Sequence, residues 1–160
     1  MINTVYVIAG PTATGKSDLS ISLAKKLNGV VINSDSMQVY KNLEILTARP
    51  SSNDMKNIDH HLFGFVDGNE RYNVERWCND ATQVIKKTTT NNLTPILVGG
   101  TGLYINTLIN GLIDLPSIPE SIKIESEKIL QKFGKDFLIS QIKNIDPDSL
   151  KDINLNDTVR

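Results

Sequence analysis

The sequence has almost no cysteine, no long apolar run and no surplus of positive charge. Its single cysteine, Cys78, cannot form an internal disulfide, which favours a reducing compartment. The apolar run at residues 5–9 is far too short to cross a bilayer, and no basic leader precedes it. We therefore expect a cytoplasmic protein that does not bind membranes.

Charge is balanced, with 17 Lys and Arg residues against 18 Asp and Glu residues and a net charge of −1. This balance argues against strong nonspecific RNA binding, but it leaves room for a local basic patch. The 160 residues are 39% hydrophobic and 22% charged, which is ordinary for one globular domain and argues against general disorder.

Short apolar runs alternate with helical periodicity as far as about residue 113. Three runs are typical of buried parallel strands, namely residues 4–9, 30–32 and 95–98. Helices are expected after Ser17, over residues 73–89, and after residue 102 with Ile109 on the inner face. This alternation predicts an α/β fold with a parallel sheet and flanking helices. Beyond Pro116 we expect two amphipathic helices, residues 122–133 and 136–145, and no strand.

A phosphate-binding motif lies between the first strand and the first helix. The pattern G-x-x-x-x-G-K-[ST] is matched by Gly10, Pro11, Thr12, Ala13, Thr14, Gly15, Lys16 and Ser17. Its backbone N–H groups are expected to point at an anion, Lys16 to add charge, and the Ser17 hydroxyl to ligate Mg²⁺ as cofactor. The motif predicts binding of a diphosphate or triphosphate, ATP included. It does not identify the reaction, because kinases, GTPases, ATPases and diphosphate-using transferases share it.

Polar clusters also follow the other two predicted strands, where α/β sheets bind their ligands. In the first cluster, Asp35 could be a general base, a magnesium partner or a helix cap. In the second, Thr101 could cap a helix or direct its hydroxyl at a phosphate oxygen. The pair His60-His61 lacks partners at metal-ligand spacing, so we expect packing or backbone bonding there. Trp77 lies on a helix stripe and is expected in the core.

Four motifs taken together resemble one family. GPTATGKS, INSDSMQVY, DHHL and LVGGTGLY, in this order and spacing, are similar to the tRNA dimethylallyltransferase (tRNA isopentenyltransferase) family. The likeness continues weakly to residues 156–160, NDTVR, where the family usually has NDPQR. The resemblance implies a P-loop NTPase-like fold. It also implies transfer of a dimethylallyl group from dimethylallyl diphosphate to the exocyclic amine of the adenine on the 3′ side of the anticodon in tRNA.

The resemblance also implies roles for individual residues. The P-loop would hold the diphosphate, and Lys16, Asp35 and Thr101 would be catalytic. Asp35 would accept the amine proton, Thr101 would contact the diphosphate, and Lys16 and Ser17 with Mg²⁺ would stabilise the departing charge. The residues implied in binding the anticodon arm are Asp35, Ser36, Met37, Gln38, Lys123 and Arg160. Leu46 and Arg49 depart from the family's usual Gly and Lys, and Lys123 stands where an arginine is common.

Residues 1–115 would form the catalytic core, with an incomplete sheet, and residues 116–160 the start of a tRNA-contacting helical insertion domain. Family members are usually about twice as long. We therefore expect a shortened chain, monomeric or paired with a missing C-terminal part, which binds the diphosphate without efficient tRNA modification.

One alternative function is that of a small nucleotide or metabolite kinase, although its lid arginines are lacking in residues 114–160 apart from Arg160. The other is an inactive remnant.

Overall fold

A parallel sheet flanked by helices forms the first part of the molecule in the computed structural model, which describes residues 4–111 and 118–152. The strands are β1 (Tyr6–Ala9), β2 (Gly29–Asn33), β3 (His60–His61) and β4 (Thr94–Gly99). Their spatial order is β1-β4-β2-β3, and every pair is parallel. The predicted α/β class is confirmed. The two-residue strand β3 was not predicted, because two residues carry no readable periodicity.

Three helices connect or follow the longer strands: α1 (Lys16–Leu27), α2 (Val74–Thr90) and α3 (Gly102–Asn110). Helix α1 ends as predicted at Asn28, which adopts a left-handed conformation and donates its N–H to the Ala24 carbonyl. Helix α2 begins after Asn73, whose side chain accepts the N–H of Arg76. Local cap chemistry therefore accounts for both boundaries.

The sheet has an apolar core on each face, because alternate strand residues point to opposite sides. One face packs Val30, Ile32 and Leu97 against α2 and α3, where the fully buried Trp77 stacks on Tyr104 with ring centroids 4.6 Å apart. The other face packs residues of β2 and β4 against Ala24 of α1. The predicted core position of Trp77 is confirmed.

Strand β1 differs from the prediction, which had it buried. Tyr6 and Val7 are 38% and 42% exposed, because β1 is the end strand of the described sheet and pairs only with β4. The prediction for Ile109 was also wrong. Its side chain is 68% exposed, whereas Tyr104 and Thr107 are the buried residues of α3.

Chain contacts divide the protein into two compact units, Met1–Ile113 and Asp114–Arg160. The described part of the second unit holds α4 (Glu120–Phe133), α5 (Lys135–Ile145) and the short α6 (Ser149–Asp152). Gly134, in the left-handed region at φ 77°, separates α4 from α5. The two predicted helices are confirmed, and α6 was not predicted. Across residues 4–111 and 118–152, no helix is both long and apolar enough to cross a membrane.

Gly99→Ala is expected to destabilise the protein by about 1–3 kcal/mol through overpacking at the ends of β2 and β4. A Cβ at Gly99 would lie 2.4–2.5 Å from the carbonyl carbon, carbonyl oxygen and Oγ of Ser34. Gly102→Ala is the matched control, because a Cβ there meets no atom within 4 Å. Urea unfolding measures the free energy of unfolding of both variants. Equal stability of Gly99→Ala and wild type would contradict the close approach.

Candidate active site

The P-loop joins β1 to α1 in a conformation that needs two left-handed residues. Gly15 has φ 79°, and Ala13 has φ 64° although it is not a glycine. The Pro11 carbonyl accepts hydrogen bonds from the Lys16 ammonium and from Thr14 Oγ1, the latter at 2.9 Å. Lys16 is thus held over the loop at the N-terminus of α1, where anions bind.

An open cleft of about 310 Å³ lies along the P-loop. It brings together two of the predicted catalytic residues, Lys16 and Asp35, with the predicted metal ligand Ser17 and the predicted tRNA contact Gln38. Most of the P-loop lines it, together with further residues of α1, β2, β3, β4 and the intervening loops, including Asp18, Val31, Thr47, Ala48, Pro50, His60, Phe63, Val98 and Gly99.

Asp35 lies in a tight turn directly after β2. Its Oδ1 accepts the backbone N–H groups of Met37 at 2.9 Å and Gln38 at 3.3 Å. Asp35 therefore acts as a cap through one carboxylate oxygen, but the element that it caps is a turn and not a helix. Within the part of the chain that the structure describes, Oδ2 receives no hydrogen bond. One oxygen is thus structural and the other is available for proton transfer.

Asn33, which sequence reasoning passed over as the end of a strand, holds this turn. Its Oδ1 accepts the N–H of Asp35 at 2.9 Å. Its Nδ2 donates to the carbonyls of Asp35 at 2.9 Å and Leu62 at 3.0 Å. The Asn33 carbonyl accepts the indole N–H of Trp77 at 2.8 Å, and the residue is fully buried. In the sequence, the only local indication of this role is a side-chain amide two residues before Asp35, the candidate base.

Thr101 stands at the N-cap position of α3, but its side chain makes no capping bond there. The capping interpretation is therefore wrong. Its Oγ1 accepts the backbone N–H of Ser36 at 2.9 Å and lies 3.3 Å from Ser36 Oγ. The third predicted catalytic residue thus bonds to the turn that carries Asp35. Its predicted phosphate contact stays a prediction.

Gln38 and Met37 extend the turn towards the loop at residues 41–50. The Gln38 amide donates to the Thr47 carbonyl at 2.9 Å, and Met37 is 48% exposed. Arg49 braces this loop by donating to the Tyr40 carbonyl at 2.9 Å and pairing with Glu44 at 2.9 Å. Arg49 therefore uses two guanidinium nitrogens on two different partners, the Tyr40 carbonyl and the Glu44 carboxylate.

His60 lines the cleft from β3 and makes a backbone bond, as predicted. Its Nδ1 lies 2.7 Å from the Ile58 carbonyl, and since a carbonyl only accepts, Nδ1 carries a proton. Burial lowers the pKa of His60, although the Ile58 bond acts in the opposite direction. Burial also raises the pKa of Tyr104, and the nearby Tyr40 and Asp35 add to that rise.

The two further residues predicted to contact tRNA are Lys123 and Arg160. Lys123 belongs to α4 of the second unit, where its ammonium pairs with Glu120 at 3.2 Å. Arg160 lies outside the described residues. The roles of both residues therefore stay predictions.

Thr101→Val is expected to lower the free energy of unfolding by about 1 kcal/mol, because it leaves the Ser36 N–H without its acceptor. Thr101→Ser keeps the hydroxyl and serves as the control. Urea unfolding of the two variants checks the difference. If valine and serine gave equal stability, the hydroxyl would not hold the turn.

Comparisons with known proteins agree on one family. The model for "IPP transferase" matches residues 38–160, and the model for "Isopentenyl transferase" matches residues 3–63. The chain is 44% identical to a tRNA dimethylallyltransferase of Pelagibacter ubique over 98% of its length. It is also 44% identical to one of Hyphomonas neptunium over 99% of its length. It spans about half the length of these curated relatives, covering 50% of each.

Solved structures give the same answer. The tRNA isopentenylpyrophosphate transferase of Bacillus halodurans superposes with a TM-score of 0.69 at 37% identity, covering 97% of this chain and 52% of that one. A eukaryotic dimethylallyltransferase acting on tRNA superposes with a TM-score of 0.80 at 37% identity, covering 96% of this chain and 38% of that one. Since the first family model alone matches well over half of the chain, the chain belongs to the IPP transferase family.

Proposed function

We propose that this protein transfers a dimethylallyl group from dimethylallyl diphosphate to the exocyclic amine of the adenine on the 3′ side of the anticodon in tRNA. The observation that carries the proposal is the shared cleft of the P-loop and Asp35, with Thr101 bonded to the Asp35 turn. Alkylation of a weakly nucleophilic amine requires a site that stabilises the leaving diphosphate and a base that takes the amine proton, and the P-loop and Asp35 supply these two in one cleft.

The proposed reaction forms a C–N bond, breaks a C–O bond and moves one proton from the amine nitrogen to Asp35. The adenine amine nitrogen attacks the first carbon of the dimethylallyl group, and the bond from that carbon to the diphosphate oxygen breaks. Oδ2 of Asp35 takes the amine proton. Lys16 and the P-loop N–H groups stabilise the negative charge that develops on the departing diphosphate.

The residues present fit Mg²⁺ held jointly by protein and substrate. Ser17 places a hydroxyl on the cleft, and the described residues contain no group of three or more His, Cys, Asp or Glu side chains that could hold a metal without the substrate. Mg²⁺ in proteins commonly binds one or two protein oxygens, substrate phosphates and water. Bound there, Mg²⁺ would neutralise charge on the leaving diphosphate.

We further propose that the turn after β2 contacts the RNA. The target base must leave its stack to reach the cleft, and the exposed Met37 can pack on a base face. Ser36 and Gln38 present polar groups beside it. The second unit would act as a tRNA-contacting insertion, with Lys123 and Arg160 facing the anticodon arm. The reaction would take place in the cytoplasm.

Transfer of label from dimethylallyl diphosphate to unmodified tRNA tests the proposal. Because the chain spans about half of its relatives, enzyme is kept in excess of tRNA and a single turnover is followed. We expect Mg²⁺-dependent label on the RNA and none on tRNA that lacks the target adenine. Consumption of ATP without label on the RNA would instead identify a kinase.

A further inference from the structure

We propose that Asn33 is the positioning residue for the Asp35 carboxylate, an inference that rests on the proposed role of Asp35 as base. Asn33 does not line the cleft. It acts through the backbone of the residue that does.

The amide of Asn33 brackets Asp35 on both sides. Oδ1 accepts the Asp35 N–H at 2.9 Å, and Nδ2 donates to the Asp35 carbonyl at 2.9 Å. Because both peptide groups that flank the Asp35 Cα are held, the direction of its side chain is set by Asn33. The carboxylate then completes the turn by accepting the N–H groups of Met37 and Gln38.

The bracket is itself fixed to the rest of the first unit. Nδ2 also donates to the carbonyl of Leu62, a non-glycine residue in the left-handed region at φ 63°. The Asn33 carbonyl receives the Trp77 indole N–H. With no exposed surface, Asn33 cannot exchange these partners for water. It therefore links the candidate base to β2, to the segment after β3 and to α2.

Only a side-chain amide satisfies this set of partners. Position 33 must offer one acceptor to an N–H and two donors to carbonyl oxygens. An ionised carboxylate offers no donor, and a serine hydroxyl offers one. The chemistry of the turn thus defines the residue type.

Asn33→Ser is expected to lower kcat for transfer by about 10–100-fold, because the carboxylate loses its fixed direction. KM for dimethylallyl diphosphate should stay within about twofold, since the P-loop is untouched. Val30→Ala is the matched control, because Val30 is buried on the same strand and its side chain has no polar atom that could hydrogen-bond to the Asp35 turn. It should lower the unfolding midpoint and leave kcat unchanged.

Asn33→Asp adds a pH test. Burial raises the pKa of the introduced carboxyl, so it is protonated at low pH and can donate one hydrogen bond. At higher pH it ionises against the carbonyl oxygens of Asp35 and Leu62. The ratio of variant to wild-type kcat should therefore fall, by about tenfold, as the pH rises through that pKa. A ratio that does not change with pH contradicts the proposal.

Amide hydrogen exchange separates this inference from the proposed activity. In Asn33→Ser, the Met37 and Gln38 amides should exchange faster while the strand amides of Val31 and Ile32 stay protected. In Val30→Ala, any change in exchange rate should be shared by the amides of Met37, Gln38, Val31 and Ile32, because the variant lowers the stability of the fold as a whole. Absence of transfer in the wild type would refute the proposed function, and exchange would still decide the role of Asn33. Unchanged exchange of the Met37 and Gln38 amides in Asn33→Ser would overturn the proposed positioning role of Asn33.

Discussion

Asp35→Asn is expected to slow dimethylallyl transfer by about 10²–10⁴-fold, the usual contribution of a positioned general base. Asparagine keeps an oxygen where Oδ1 accepts the Met37 and Gln38 N–H groups. The turn should therefore survive, and only the proton acceptor is lost. Single-turnover label transfer measures the rate, and urea unfolding should give a stability close to that of the wild type.

Asp18→Asn supplies the control for charge, because Asp18 is, among the described residues, the other carboxylate lining the cleft. It follows Lys16 and Ser17 in the first turn of α1, outside the turn that carries Asp35 in the chain. We expect a much smaller loss of rate from this variant. Equal losses for both variants would show that the cleft needs negative charge in general and would remove Asp35 as the base.

Lys16→Met is expected to weaken binding of dimethylallyl diphosphate by about 10–100-fold, because a hydrogen bond to a charged group contributes about 1.5–3 kcal/mol. Methionine has a similar length and no charge, so the comparison isolates the ammonium. The Pro11 carbonyl keeps its bond from Thr14, and the loop should retain its shape. Titration calorimetry with dimethylallyl diphosphate measures the change.

Lys25→Met is the matched control on the same helix. Lys25 is an exposed residue in the last turn of α1, at the end remote from the P-loop. Its replacement should leave the affinity for dimethylallyl diphosphate unchanged. If Lys16→Met bound as tightly as this control, the P-loop would not be the diphosphate site.

Much of the fold could be predicted, because its causes are local. The P-loop pattern, the Asn28 helix stop and the alternating strands each depend on residues close together in the chain. Burial was less predictable. The β-branched run at β1 is typical of a covered strand, but whether it is covered depends on the neighbour beyond its free edge, which the run itself does not specify.

The candidate site shows the same division. The residue types at Lys16, Asp35 and Thr101 could be selected from their places at strand ends. Their bonding could not, because the Thr101 hydroxyl and the Ser36 N–H are 65 residues apart in sequence. Asn33 was missed for the same reason, since a buried amide is recognised by its partners, and two of those lie on remote segments.

The bonding of the Asp35 turn also bears on the order of folding. Its partners lie 29 residues away at Leu62, 44 at Trp77 and 65 at Thr101. Closing loops of these lengths costs chain entropy that only later contacts recover. The P-loop can form early from residues adjacent in sequence. We therefore expect the candidate base to take up its working geometry only after α2 and the Thr101 segment have docked, so that catalytic competence is acquired late in folding.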